Sequence, residues 1–190
     1  MDKKVEILEK RNLVDGFFKI EEATIRHEKF DGSMSKTMKR LVVERGDAVA
    51  ALVYNTDSQV YYLIEQFRLA PHLRGQGWLK EIVAGMIDKG ENPAEAIARE
   101  LKEEIGYAPS SLQPIASVFA SPGGSTEKLH LFYAETNDSM KVAPGVYHLD
   151  DDEDIKLLEV KRDELLELVQ KDGTIDSKTL LALYWLQLKG

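Results

Sequence analysis

The sequence predicts an α/β fold: a mixed β-sheet between layers of helix, preceded by a separate antiparallel β-rich region. Three observations predict it. Apolar runs at 48–54 and 59–67 are bounded by turn residues and read as buried strands. The stretch 93–106 carries apolar residues at helical spacing. Beyond it, strand patterns at 115–119, 129–134 and 155–160 are followed by two further helical patterns. Strands interleaved with helices in this order cover both faces of one sheet.

From the start of the chain, residues 1–44 are β-rich and polar. Val5, Ile7 and Leu8 begin one strand, and Phe17, Phe18, Ile20, Ala23 and Ile25 a second. Asp31-Gly32-Ser33 is a hairpin turn into a third strand at 34–43. Three strands with one apolar face need a partner surface, either the rest of the chain or a second copy. The division expected is 1–44 and 45–190.

The larger part opens with the core strands 48–54 and 59–67, joined by the turn Asn55-Thr56-Asp57-Ser58. A loop at 68–78 contains Pro71, Gly75 and Gly77 and carries Arg68, His72 and Arg74. Residues 78–83 lead into a turn-rich loop with Gly85, Gly90 and Glu91. Asn92 then caps a helix with Pro93 at its first position, and Gly106 ends it. At roughly 100° per residue, Ala94, Ile97, Leu101 and Ile105 form the buried face. Farther on, 138–152 is an acidic loop with a Pro144-Gly145 turn, and 162–170 a helix with an acidic first turn. Gly173 closes that segment. Asp176 caps a last helix with Leu180, Leu183, Tyr184 and Leu188 on one stripe, and Tyr184 and Trp185 belong to the core.

Composition excludes several classes. The 190 residues are 43% hydrophobic and 31% charged, an ordinary globular balance. A net charge of −8 argues against nucleic acid or an anionic membrane as partner. With no cysteine there is neither disulfide framework nor thiol chemistry. Four scattered histidines make no zinc site. The opening MDKKVEILEKR has no apolar signal core and no run is long enough to span a bilayer, so the cytoplasm is the expected compartment.

The chemistry sits on the capped helix. Glu100, Glu103 and Glu104 share an arc of roughly 100°, and like charges at i and i+4 cost about 0.2–0.5 kcal/mol per pair. Arg99 offsets part of that through Glu103, four residues on. A divalent cation over the carboxylates removes the rest, and clustered hard oxygens suit Mg²⁺ or Mn²⁺.

The spacing Gly85, five residues, Glu91, seven residues, Arg99-Glu100-Leu101-Lys102-Glu103-Glu104-Ile105-Gly106 resembles the Nudix box. Tyr107 departs from it, at a packing position where the family has a small aliphatic residue. The resemblance implies an α/β/α sandwich in which Glu100, Glu103, Glu104 and the Ala84 carbonyl ligate two or three Mg²⁺ or Mn²⁺ ions. It gives Arg99 and Glu91 orienting roles. Ser121-Pro122-Gly123-Gly124-Ser125-Thr126-Glu127 and Ile64-Glu65-Gln66-Phe67-Arg68 are similar to the ADP-ribose pyrophosphatase branch. That branch implies Arg68, Ser121, Gly123 and Gly124 at the substrate and Glu127 beside the metal-bridged substrate or the water. It also implies a carboxylate from the acidic loop as general base, with Glu153 the first choice and Asp151 the second. A guanidinium fork suits phosphate, so Arg74 is either a phosphate ligand or a solvated surface group. Trp78 either stacks on a base or packs.

The branch further implies a homodimer in which residues 1–44 cross to the partner's substrate site. The expected enzyme is a Mg²⁺-dependent nucleoside diphosphate-sugar pyrophosphatase, favouring ADP-ribose, with GDP-mannose or another nucleotide sugar as alternative. A non-catalytic nucleotide-sugar sensor would have lost a box glutamate, and none is lost.

Overall fold

The computed structural model describes residues 3–109, 111–142, 154–170 and 175–189. They fall into two compact units, one built from Met1–Asp47 and Phe119–Lys128, the other from Ala48–Val118 and Leu129–Gly190.

The first unit contains a three-stranded antiparallel sheet in the order β1 (Val5–Asp15), β2 (Lys19–His27), β3 (Met38–Glu44). Phe17 and Phe18 lie in the β1–β2 turn rather than in a strand. The Asp31 turn forms as expected: the Asp31 carboxylate accepts the Ser33 N–H at 2.9 Å, and Gly32 sits at φ +82°. The third strand begins at Met38 rather than at Met34, which makes only an isolated bridge to Glu28. Charge pairs stitch the strands together: Lys10–Glu21 at 2.7 Å, Arg11–Glu22 at 2.7 Å and Lys39–Glu22 at 2.9 Å.

The second unit is an α/β/α sandwich. Its strands are β4 (Ala48–Asn55), β5 (Val60–Phe67), β6 (Trp78–Glu81), β7 (Val83–Met86), β8 (Ser111–Phe119), β9 (Lys128–Thr136) and β10 (Ile155–Val160). The sheet runs β10-β5-β4-β9-β8, with β6 on β5 and β7 on β4. It is mixed because β4 pairs in parallel with β9 and antiparallel with β5 and β7. Helices are α1 (Leu69–His72), α2 (Pro93–Glu104), α3 (Arg162–Gln170) and α4 (Ser177–Leu188). The loop expected at 68–78 therefore contains one turn of helix.

Alternation along β4 builds two cores. Val49, Ala51 and Val53 join Ile97, Leu101 and Ile105 of the α2 region. Ala50 and Leu52 face the other way, into a cluster with Leu165 of α3 and Ala182, Leu183 and Leu186 of α4.

Two helical faces differ from expectation. On α2, Ala96 is buried and Ala94 exposed. On α4 the buried set is Thr179, Ala182, Leu183 and Leu186, while Tyr184 and Leu188 are 49% and 89% exposed. Apolar residues surround α4 on nearly every side, so hydrophobicity alone did not choose its face. The choice is fixed by Thr179, whose hydroxyl accepts the buried Ile82 N–H at 3.0 Å. Trp185 is partly buried and packs against Tyr133.

Candidate metal centre and active site

Asn92 accepts the Ala94 and Glu95 N–H groups at 3.0 Å each, and Glu95 returns to the Asn92 N–H at 3.2 Å, a complete capping box. At the other end Gly106 takes φ +74°, and the Tyr107 N–H reaches the Leu101 carbonyl at 3.2 Å. These two ends fix the rotation of α2 that carries the carboxylates.

Arg99 organises the cluster. Its Nε and Nη2 donate to Glu91 at 3.1 Å each, Nη2 also to the Met86 carbonyl at 3.0 Å, and Nη1 to Glu100 at 2.8 Å and Glu103 at 3.1 Å. The i, i+4 pair expected with Glu103 is therefore present. The Glu91 hydrogen bonds come first among the causes that hold the guanidinium above its ordinary pKa. Arg99, and then the Asp88 N–H, hold the Glu91 carboxyl below its own.

Gly85 lies on β7 directly under Glu100. A Cβ built there would overlap the Glu100 carboxyl group, so only glycine lets that carboxylate lie against the strand. Glu104 has one carboxylate oxygen shut off from solvent. Among the described residues no three acidic or histidine side chains converge on a single point. Arg99 grips Glu100 and Glu103 instead. The donor set still fits a hard divalent cation: three carboxylates lie within about a turn of helix, and the backbone at Gly85 lies against one of them, Glu100.

Arg68 directly follows β5 and forks onto Glu81 of β6, with Nη2 at 2.9 Å and Nε at 3.3 Å. Burial works against its charge, but hydrogen bonds to Glu81 and the charges of Glu81, Glu104 and Asp176 outweigh it and raise its pKa. Trp78 is 56% exposed and edge-on to Phe67 at 5.8 Å, and Arg74 is exposed.

Ser121, Gly123, Gly124 and Glu127 belong to the first unit. The Val43 N–H donates to the Gly124 carbonyl at 2.8 Å, the Thr126 N–H to Val43 at 3.1 Å, and the Thr126 hydroxyl to Glu44 at 2.7 Å. Arg45 lies 3.6 Å from the buried Glu127 carboxylate. Arg45 is the neighbour that sequence reasoning missed. Its one local signal is the charged pair Glu44-Arg45 before Gly46, which takes φ +82°. Glu153 and Asp151 lie outside the described residues.

A model of the NUDIX domain matches residues 44–184. The chain belongs to the Nudix family. The ADP-ribose pyrophosphatase of Escherichia coli (strain K12) is 35% identical over 186 residues, covering 97% of this chain and 88% of that protein. The GDP-mannose pyrophosphatase of Cronobacter sakazakii is 36% identical over 192 residues, covering 100% and 98%. The crystal structure of an ADP compounds hydrolase matches with a TM-score of 0.74 over 98% of this chain and 94% of that one. At 19% identity, that likeness shows the fold. The chain is thus a Nudix hydrolase, of a family that generally uses a divalent metal. No helix among the described residues is long and apolar enough to cross a membrane.

Proposed function

We propose that this Nudix hydrolase cleaves the diphosphate of a nucleoside diphosphate sugar, with ADP-ribose giving AMP and ribose 5-phosphate. The reading is carried by the Glu100 carboxylate lying on Gly85 with Glu103 and Glu104 on the same stretch of α2. Together with the Ala84 carbonyl, these carboxylates would hold Mg²⁺, or Mn²⁺ in its place, as two or three ions. When bound, such cations neutralise the diphosphate and acidify water.

The chain's own groups supply the rest. Arg99 and Glu91 keep the carboxylates oriented. Arg68 and Arg74 present guanidinium N–H groups to phosphate oxygens. Ser121, Gly123 and Gly124 give a loop whose backbone comes close to substrate, and Trp78 offers a stacking face. Glu127 or a carboxylate from the acidic loop, Glu153 before Asp151, takes the proton from water. Residues 1–44 form a substrate and dimerisation region ahead of the catalytic domain at 45–190. The active species is a homodimer in the cytoplasm, with neither nucleic acid nor membrane as partner.

GDP-mannose is the second reading, favoured by the GDP-mannose pyrophosphatase that aligns along the whole chain at the same level of identity. A panel of ADP-ribose, GDP-mannose, ADP-glucose and NADH, with products identified by chromatography, tests both. ADP-ribose with the highest kcat/KM is expected. A preference for GDP-mannose selects the second reading, and cleavage of none refutes both.

A further inference from the structure

Behind Arg68 the second unit buries a cluster of charges drawn from distant parts of the chain. Glu81, 2% exposed, accepts Lys178 Nζ at 3.1 Å as well as the Arg68 fork. Lys178, whose side chain is 12% exposed, also reaches Asp176 at 3.0 Å. Asp176 caps α4 by accepting the Thr179 N–H at 3.0 Å and the Thr179 hydroxyl at 2.8 Å. That hydroxyl accepts the N–H of Ile82, which directly follows Glu81 and stands two residues before Ala84.

Two cations and two anions make the cluster neutral, so each charge is compensated only while the others are in place. Buried ion pairs are poor sources of net stability and are best attested as devices that fix a register or a geometry. Glu81 takes the Nε and Nη2 edge of Arg68, which leaves Nη1 outside that contact. An arginine held along one edge is pre-organised to present the other to an anion.

We propose that Lys178 is a positioning residue: by neutralising Glu81 and Asp176 together, it keeps Glu81 aimed at Arg68 and the Arg68 guanidinium aimed at the diphosphate. Without Lys178, Glu81 and Asp176 are left as two uncompensated anions competing for the Arg68 guanidinium. The last helix thus contributes to substrate binding without touching substrate. The inference rests on the reading of Arg68 as a phosphate ligand.

The test is a double-mutant cycle in the full chain with ADP-ribose as substrate. A second readout is the Arg68 Nε–H resonance, assigned by its loss in Arg68→Ala. Lys178→Met should lower kcat/KM roughly tenfold, the equivalent of one charge-assisted hydrogen bond, mainly through KM. Lys178→Arg should restore most of it. Adding Lys178→Met to Arg68→Ala should cost nothing more, because the effect runs through Arg68. Additive losses, or a loss confined to kcat, overturn the proposal. Lys178→Gln replaces Met where Met prevents folding, with the same outcomes required. If the wild-type protein turns over no nucleotide sugar, the functional reading fails, and the resonance still decides positioning. It should exchange slowly in wild type and Lys178→Arg and be lost in Lys178→Met. A resonance unchanged in Lys178→Met overturns the proposal.

Discussion

Strands β4 and β1 are both rich in apolar residues, yet different physics holds them. Every residue from Val49 to Val53 is fully buried, with alternate side chains in two cores. Val5, Ile7 and Leu8 are 60%, 60% and 54% exposed, and their sheet is stitched by surface charge pairs. Burying one large aliphatic side chain is worth about 1.5–3 kcal/mol, whereas an exposed ion pair gives about 0–1. The larger unit therefore has the interior to stabilise itself. The small sheet leaves apolar surface that calls for a cover. The box carboxylates are mounted on the unit that can hold them still.

Separating chemistry from frame in the stiff unit should give the largest effect. Glu104→Gln keeps the shape of a side chain with one oxygen already shut from solvent and removes only its charge. Turnover should fall by about 10²–10³-fold at an unchanged melting temperature. Equal turnover would remove Glu104 from the metal centre. Gly85→Ala should cost about 10–100-fold, because the added methyl displaces the Glu100 carboxyl, the movable end of a side chain, and not the backbone. Weakened Mn²⁺ affinity measured by calorimetry should accompany it. Unchanged affinity would contradict the cradle.

The frames themselves can be set against each other. Leu52→Ala opens a cavity in a core that includes Leu131 and Leu183 and should destabilise by about 2–5 kcal/mol in denaturant unfolding. Ile7→Ser, on the exposed face of β1, should change stability by less than about 0.5 kcal/mol while weakening the proposed dimer in sedimentation. Comparable losses of stability from both would mean that the small sheet has a core of its own.

How far these features could be read in advance follows from how local they are. The capped helix and the Arg99–Glu103 pair lie within residues 92–106, where spacing alone sets the geometry, whereas Gly85, expected in a turn-rich loop, lies on strand β7, and its approach to Glu100 is made by the fold. Strand β10 and helix α3 have the bounds their patterns predict, Ile155–Val160 and Arg162–Gln170. The α4 stripe was misjudged because nearly every face of that helix offers an apolar residue and packing partners far along the chain decide between them, whereas Ala94 sits in the first turn of α2 and is exposed there. Arg45 beside Glu127, and Lys178 beside Glu81, join residues about 80 and 100 positions apart. No local pattern encodes such a meeting; a lone lysine on a helix reads as a solvated charge until the fold buries it.

The smallest predicted effect distinguishes the two sheets by acid. Lys39 holds the Glu22 carboxyl below its ordinary value, and Lys4 and Arg26 do the same for Glu6. A folded pKa below that of the unfolded chain means that the pairs stabilise the sheet above the ordinary carboxylate range, about 4.3 for Glu. As pH falls through the depressed folded value the carboxylates take up protons and that contribution is lost. Strand β4 carries no ionisable carboxylate and owes its place to apolar burial. Amide protection, corrected for intrinsic exchange, should therefore fall in β2 and β3 between about pH 5 and pH 3 while β4 keeps its own. At neutral pH, 1 M salt should loosen the same strands to a lesser extent, because screening weakens exposed pairs without abolishing them. If β4 lost protection first, charge would not be what joins the N-terminal strands.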